Sequence, residues 1–387
     1  DVALDLLNLH IQTGRYATAE AMLTDFGDAL SGDPAATATM LYLRGLLHLE
    51  QERNEESAAS FAAALKARAA LHGKDHSAVA EVLSDFGLLL SFEGKYDEAD
   101  AALQRALDIQ TRRLGKSALR VSVTYTALAM LEEARDNAGL ARDYAERALK
   151  IQTPIPDHPW RANALFVLAL AKAALNERDS ATDALELSLK IDRAGRGENH
   201  PYLAIASDEL AALYEAKGSH EAALAARETS FRVNGHALGA DHAYTLDSQA
   251  ALAAAHLRVG VYSESVALLR DLVKRRRATE EEASDDVLKA LGNLGVALTL
   301  SADFADAEAV YRELLDLLER RFGAEHGDTA TVLSNIGKTL IAQGRFAEAE
   351  PVLKNSIAVM ERTLEPGHPL IGAALSNLGH VYFELNL

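Results

Sequence analysis

Cysteine is absent from the 387 residues, which excludes disulfides and thiolate metal sites. Positive charge is in short supply: 39 Lys and Arg stand against 57 Asp and Glu, a net charge of −18. A chain this acidic repels nucleic acid and anionic membrane surfaces, so neither is expected as a partner. No apolar run approaches the roughly 20 residues of a membrane span. The longest candidate, ALFVLALAKAAL, is interrupted by Lys172. The first residues carry no signal-peptide pattern. With Ala, Leu, Arg and Asp abundant and cysteine missing, the composition points to a bacterial, cytoplasmic setting.

Catalytic constellations are missing as well. Two GK[ST] triplets occur, Gly115-Lys116-Ser117 and Gly337-Lys338-Thr339. A phosphate loop needs a further glycine five residues before the GK. Those positions hold Gln110 and Val332. The stretch HEAAL from His220 lacks the second histidine of a zinc-protease motif, and no serine or threonine stands in a nucleophile elbow. His76, His158, His200, His242, His326 and His368 recur in similar loops. Metal ligands must converge on one point, and loops repeated along a chain stay apart, so these histidines read as helix caps or packing groups. No catalytic residue, metal or cofactor is expected.

What the chain has is a repeated phrase. GRYATAEAML from Gly14, GKYDEADAAL from Gly94 and GRFAEAEPVL from Gly344 share one design. Equivalent anchors fall at Gly14, Glu52, Gly94, Asp136, Asn176, Gly218, Gly260, Ala302 and Gly344, mostly 42 residues apart. The next falls at Asn386, so a tenth unit, 369–387, is cut short. Seven residues before each anchor stand Leu7, Gly45, Gly87, Ala129, Ala169, Ala211, Ala253, Gly295, Gly337 and Gly379. Five residues after it stand Ala19, Ser57, Ala99, Ala141, Ala181, Ala223, Ser265, Ala307 and Ala349. Except for Leu7, every member is small. An apolar core alone does not demand that, but two backbones in close contact do. Gly, Asn and Asp at the anchor suit the left-handed conformation that ends a helix. An aromatic two residues on, as at Tyr16, Tyr96, Tyr262, Phe304 and Phe346, wedges the turn. Each unit therefore reads as helix A, a tight turn and helix B, with apolar positions recurring at steps of three and four.

These features resemble the tetratricopeptide repeat. The 42-residue period and the DHP-like loops resemble its longer form in kinesin light chains and bacterial multidomain signalling proteins. The resemblance spans 1–387 as one array. It implies an all-α, right-handed superhelical solenoid of about nine and a half repeats, with A helices lining a concave groove. Arg44, Arg178, His220 and the run KRRRATEEEAS at 274–284 depart from the pattern. That run reads either as a solvated helix end followed by the acidic start of the next helix, which helix dipoles favour, or as a docking patch for an acidic partner.

The resemblance also implies a peptide-binding wall. The column nine residues before the anchor ends in Asn293, Asn335 and Asn377, an asparagine ladder. A carboxamide offers a donor and an acceptor, matching a peptide group without reading its side chain. The same asparagines could instead bond neighbouring helices. Lys289, Lys338 and His380 share that wall. The middle wall takes Met130, Phe166, Val167 and Leu170, with Val123 and Ala127, either as a patch for an apolar anchor or as side chains covered by a tight superhelix. Glu81 and Asp85 make the N-terminal wall acidic, and Asp208 and Glu209 stand beside the middle.

The expected function is a scaffold binding an extended peptide or helix, including a segment of its own full-length chain. Both ends read as cuts in a longer protein. Two other functions fit. One is the sensor arm of a kinase, protease or STAND-type ATPase whose catalytic domain lies elsewhere. The other is a self-assembly module.

Overall fold

The computed structural model describes residues 2–29 and 32–387. Among them are nineteen α-helices and no strand. Two compact units divide the chain, residues 1–219 and 220–387. The first holds α1 (Val2–Gln12), α2 (Tyr16–Ala29), α3 (Pro34–Glu50), α4 (Asn54–His72), α5 (Ser77–Phe92), α6 (Tyr96–Leu114), α7 (Leu119–Ala134), α8 (Ala138–Ile151), α9 (Pro159–Ala174), α10 (Arg178–Arg196) and α11 (Tyr202–Ala216). The second holds α12 (His220–Ala237), α13 (Ala243–Val259), α14 (Tyr262–Thr279), α15 (Asp285–Leu300), α16 (Phe304–Phe322), α17 (Gly327–Ala342), α18 (Phe346–Thr363) and α19 (Pro369–Glu384).

Odd-numbered helices are the A helices and even-numbered ones the B helices. Within each unit A packs on its own B, as α5 does on α6 and α17 on α18. Successive A helices also touch, as in α5 with α7 and α7 with α9.

Every A helix ends in the same way. Gly14, Glu52, Gly94, Asp136, Asn176, Gly218, Gly260, Ala302, Gly344 and Asn386 all have positive φ. The amide after each anchor reaches back five residues, as Arg15 does to His10 at 2.9 Å and Arg345 to Leu340 at 2.9 Å. These are Schellman turns, which satisfy the last carbonyls of the helix. Glycine fits that conformation without strain. Ala302 and Glu52 hold it against the Cβ clash, at a cost of roughly 1–2 kcal/mol each.

The small columns sit where A and B cross. Ser57 Oγ donates to the Gly45 carbonyl at 2.9 Å, and Ser265 Oγ donates to the Ala253 carbonyl at 2.8 Å. A side chain sixteen residues on then lies over the column. Phe61 covers Gly45, Leu103 covers Gly87, Tyr311 covers Gly295 and Leu353 covers Gly337, each closer than a methyl group would allow. Phe61, Leu103 and Leu353 are completely buried. Each contributes about 1.5–3 kcal/mol by leaving water.

The loop histidines cap helices. Nδ1 of His76, His158, His200, His242, His326 and His368 accepts the backbone N–H two residues on, at 3.1–3.3 Å. Among the described residues, no group of three or more His, Asp or Glu could hold a metal ion.

The run at 274–284 is largely neutralised within its own unit. Arg275 pairs with Asp241 and Asp271, and Arg277 with Glu313. Arg276 is buried and pairs with Asp247, Glu280 and Asp286. Three of its four cations are thus committed to carboxylates, which removes most of the charge a docking patch would need.

Candidate functional site

In residues 220–387, the three asparagines occupy one register on α15, α17 and α19. Asn293 is exposed, while Asn335 and Asn377 are half-buried. The small residue two positions on sets this placement. Gly295 and Gly337 turn toward the helix crossing, so Asn293 and Asn335 look away from it, while Gly379 has no neighbour within 4 Å. Among the described residues, none of the three carboxamides makes a side-chain hydrogen bond. Asn377 Nδ2 is shut off from solvent and still has no partner. The neighbouring helices therefore do not use these groups.

Lys289 and Lys338 are exposed. Lys289 lies 3.3 Å from Asp286, and Lys338 has no ion-pair partner among the described residues. His380 is exposed, 3.6 Å from Glu384, with its ring 5.9 Å from that of Phe346. On α15 the asparagine face continues into exposed Val296 and Leu300. The wall thus offers amide acceptors on all three asparagines, amide donors on Asn293 and Asn335, the free Lys338 ammonium and apolar surface.

Met130, Phe166, Val167 and Leu170 belong to the other unit. Met130 lines a cavity of about 600 Å3 inside residues 1–219, together with Val123 and Ala127. Val167, which its column assigned to the groove wall, is 1% exposed and packs with Ala129, Ala145 and Leu168. Alanines on both sides let the helices approach until they cover it. Phe166 is half-buried against the same cluster, and Leu170 is half-buried.

The cavity's charged groups are partly paired. Glu81 takes Arg68 at 2.8 Å and Arg120 at 2.6 Å. Arg120 also lies over the Trp160 ring, 5.1 Å from its centre. Tyr42 donates its hydroxyl to Asp85 at 2.6 Å. Burial pushes the Asp85 carboxyl up to about 6, the Tyr42 hydrogen bond opposing the shift and the Glu81 charge adding to it.

One contact spans 152 residues: the Tyr202 hydroxyl donates to Glu50 at 3.0 Å. Tyr16 donates to the other Glu50 oxygen at 3.3 Å. Burial raises the Glu50 carboxyl above its ordinary value, and Arg196 and the two phenols oppose the shift. Arg196 pairs with Asp192 at 3.1 Å, donates to Asn163 Oδ1 at 2.9 Å and lies over the Tyr202 ring. Burial also pushes the nearby His200 down to about 3, with Arg196 adding to the shift.

The expected acidic wall of Glu81 and Asp85 is thus found on the cavity. Tyr42, Glu50, Trp160, Arg196 and Tyr202 were not singled out in the sequence. The column arithmetic carries no signal for them, and Glu50 and Tyr202 meet only through the curvature accumulated over several repeats.

A tetratricopeptide repeat family model matches residues 36–112, 120–194, 286–354 and 328–387, well over half of the chain. No curated protein is significantly similar in sequence. Among solved structures, repeats of a Podosopora anserina kinesin light chain are 23% identical, covering 54% of this chain and 98% of theirs, with a TM-score of 0.46. BtubC (BKLC) from P. vanneervenii is 19% identical over 59% of this chain and 91% of its own, with a TM-score of 0.50. The apo form of RapI is 13% identical over 90% of this chain and 99% of its own, with a TM-score of 0.50. At these identities the likeness concerns the fold alone.

Proposed function

The chain belongs to the tetratricopeptide repeat family, and from that premise we propose that it is a non-catalytic interaction module that grips an extended peptide along α15, α17 and α19. The observation that carries this reading is the asparagine ladder. Asn293, Asn335 and Asn377 recur at one register, and among the described residues their carboxamides have no hydrogen-bond partners. Unused amide groups at a regular spacing complement the regular peptide groups of an extended chain. Neighbouring inner helices stand about 10 Å apart. Three of them span about six extended residues at ~3.3 Å each. Lys289 and Lys338 favour a ligand with acidic side chains, and Val296 and Leu300 provide an apolar rest.

Each asparagine contributes about 0.5–1.5 kcal/mol of net hydrogen bonding. Together they account for roughly 10- to 1,000-fold in affinity if additive. The test selects peptides from a displayed random library on the 387-residue chain. The best binder is then titrated calorimetrically into wild type and the triple variant Asn293→Ala, Asn335→Ala, Asn377→Ala. A loss in that range supports the grip. Affinity unchanged in the variant removes it.

A further inference from the structure

The cavity within residues 1–219 has an unbalanced lining. Glu50, Glu52, Glu81 and Asp85 contribute carboxylates, whereas Arg120 and Arg196 contribute the only guanidiniums on its wall among the described residues. Both guanidiniums are already committed. Arg120 is tied to Glu81 and Arg196 to Asp192, and each lies over an aromatic ring. Asp85 and Glu50 are different: among the described residues neither joins an ion pair. Their hydrogen bonds come from the phenols of Tyr42, Tyr16 and Tyr202. A neutral phenol satisfies a lone pair and leaves the carboxylate charge in place.

We propose that this cavity binds an organic cation: a primary ammonium on an apolar body, its head drawn to the Asp85 and Glu50 carboxylates on the wall and its body against Leu46, Leu88, Val123 and Met130. Three features support the assignment. The volume of about 600 Å3 lies within the ~300–1,000 Å3 of small-ligand sites. An ammonium supplies the direct ion pair that the two carboxylates lack, and an ammonium–carboxylate hydrogen bond is among the stronger kinds. With four carboxylates against two guanidiniums, the wall disfavours an anion. The apolar groups on the wall, Leu46, Leu88, Val123 and Met130 among them, suit an organic body and not a bare hydrated metal ion.

The ammonium can belong to a free amine or to a lysine side chain reaching in from a peptide. The site lies wholly within residues 1–219 and uses none of the three asparagines, so its failure leaves the peptide grip standing. Titration calorimetry near neutral pH on the 387-residue chain uses tryptamine, its neutral isostere tryptophol, and the capped peptide acetyl-Leu-Lys-Leu-amide. Tryptamine or the lysine peptide should bind saturably, and whichever is tighter identifies the source. Tryptophol should bind at least about 10-fold more weakly than tryptamine, the loss of one charge-assisted hydrogen bond. Asp85→Asn keeps the acceptor for Tyr42 and removes the charge. It should weaken amine binding by about 10- to 100-fold, and Glu50→Gln should act in the same direction. The proposal is overturned if neither amine binds saturably or if tryptophol binds as tightly as tryptamine. It is also overturned if both variants, folded by circular dichroism, bind as wild type does. Should a variant fail to fold, the wild-type comparison of tryptamine with tryptophol decides alone.

Discussion

Replacing Gly295 with alanine probes the helix crossing where it is tightest. A Cβ there would lie 2.6 Å from Tyr311 Cζ and 2.8 Å from its Cδ1. Tyr311 is 2% exposed, so the rigid ring cannot swing aside without displacing its neighbours. Overpacking of this kind costs about 1–3 kcal/mol. Alanine in a helix interior returns about 0.5–1 kcal/mol relative to glycine. The expected net loss is therefore about 1–2 kcal/mol. Gly379 stands in the same column of α19, and nothing lies within 4 Å of its Cβ position. Gly379→Ala should therefore stabilise, by about 0.5–1 kcal/mol. A further arm isolates the contact. In a Tyr311→Ala background, where the ring is gone, Gly295→Ala should lose its penalty, a coupling of about 1 kcal/mol or more. Urea unfolding followed by circular dichroism reads all of these as midpoint shifts, because stacked repeats need not unfold in one step. The reasoning fails if Gly295→Ala raises the midpoint as much as Gly379→Ala does, or if Tyr311→Ala leaves its effect unchanged.

The remaining predictions concern turns, caps and charge. Ala302→Gly relieves a left-handed residue, φ 64°, and should raise stability by about 0.5–1 kcal/mol in the same urea assay. His76→Ala removes the acceptor for the Ala78 N–H and should cost about 0.5–2 kcal/mol, while His76→Asn should recover most of it. A chelator should leave the melting temperature unchanged, since the loop histidines act as caps. Asp85 is raised from 3.8 to about 6 in the folded chain. The folded state therefore holds this proton more tightly than the unfolded state, and wild type gains stability as pH falls through that window. Asp85→Asn should be more stable than wild type above pH 6, by on the order of 1–3 kcal/mol, with the advantage gone below pH 3.8. An advantage that stays constant with pH would show that Asp85 is not desolvated.

What could be read from the sequence depended on how far each constraint reaches along the chain. The anchors were legible because a left-handed turn restricts its residue locally. Gly14 through Gly344 could be counted without any knowledge of packing. The small columns were legible because they sit twelve residues apart on two consecutive helices, and the Ser57 and Ser265 hydrogen bonds to facing carbonyls follow from that spacing. The asparagine ladder appeared as a column, but its lack of internal partners depends on rotamers and neighbours that a column does not describe. Val167 shows the opposite limit. Its column is inward-facing, yet the alanines beside it let the helices close over it. The meeting of Tyr202 with Glu50 sums small rotations over several repeats, so no local pattern announces it.

Asparagine side-chain NMR tests the peptide grip most directly. The 387-residue chain is prepared with isotope-labelled asparagine, and the carboxamide signals of Asn293, Asn335 and Asn377 are assigned by single Asn→Gln changes. The library-selected peptide is then added to saturation. The account predicts that these three signals shift together with the binding curve. Asn137, whose carboxamide already donates to Glu132 at 2.8 Å, should stay where it is. If the peptide binds and moves signals elsewhere while the three carboxamides remain unmoved, the ladder is not the grip.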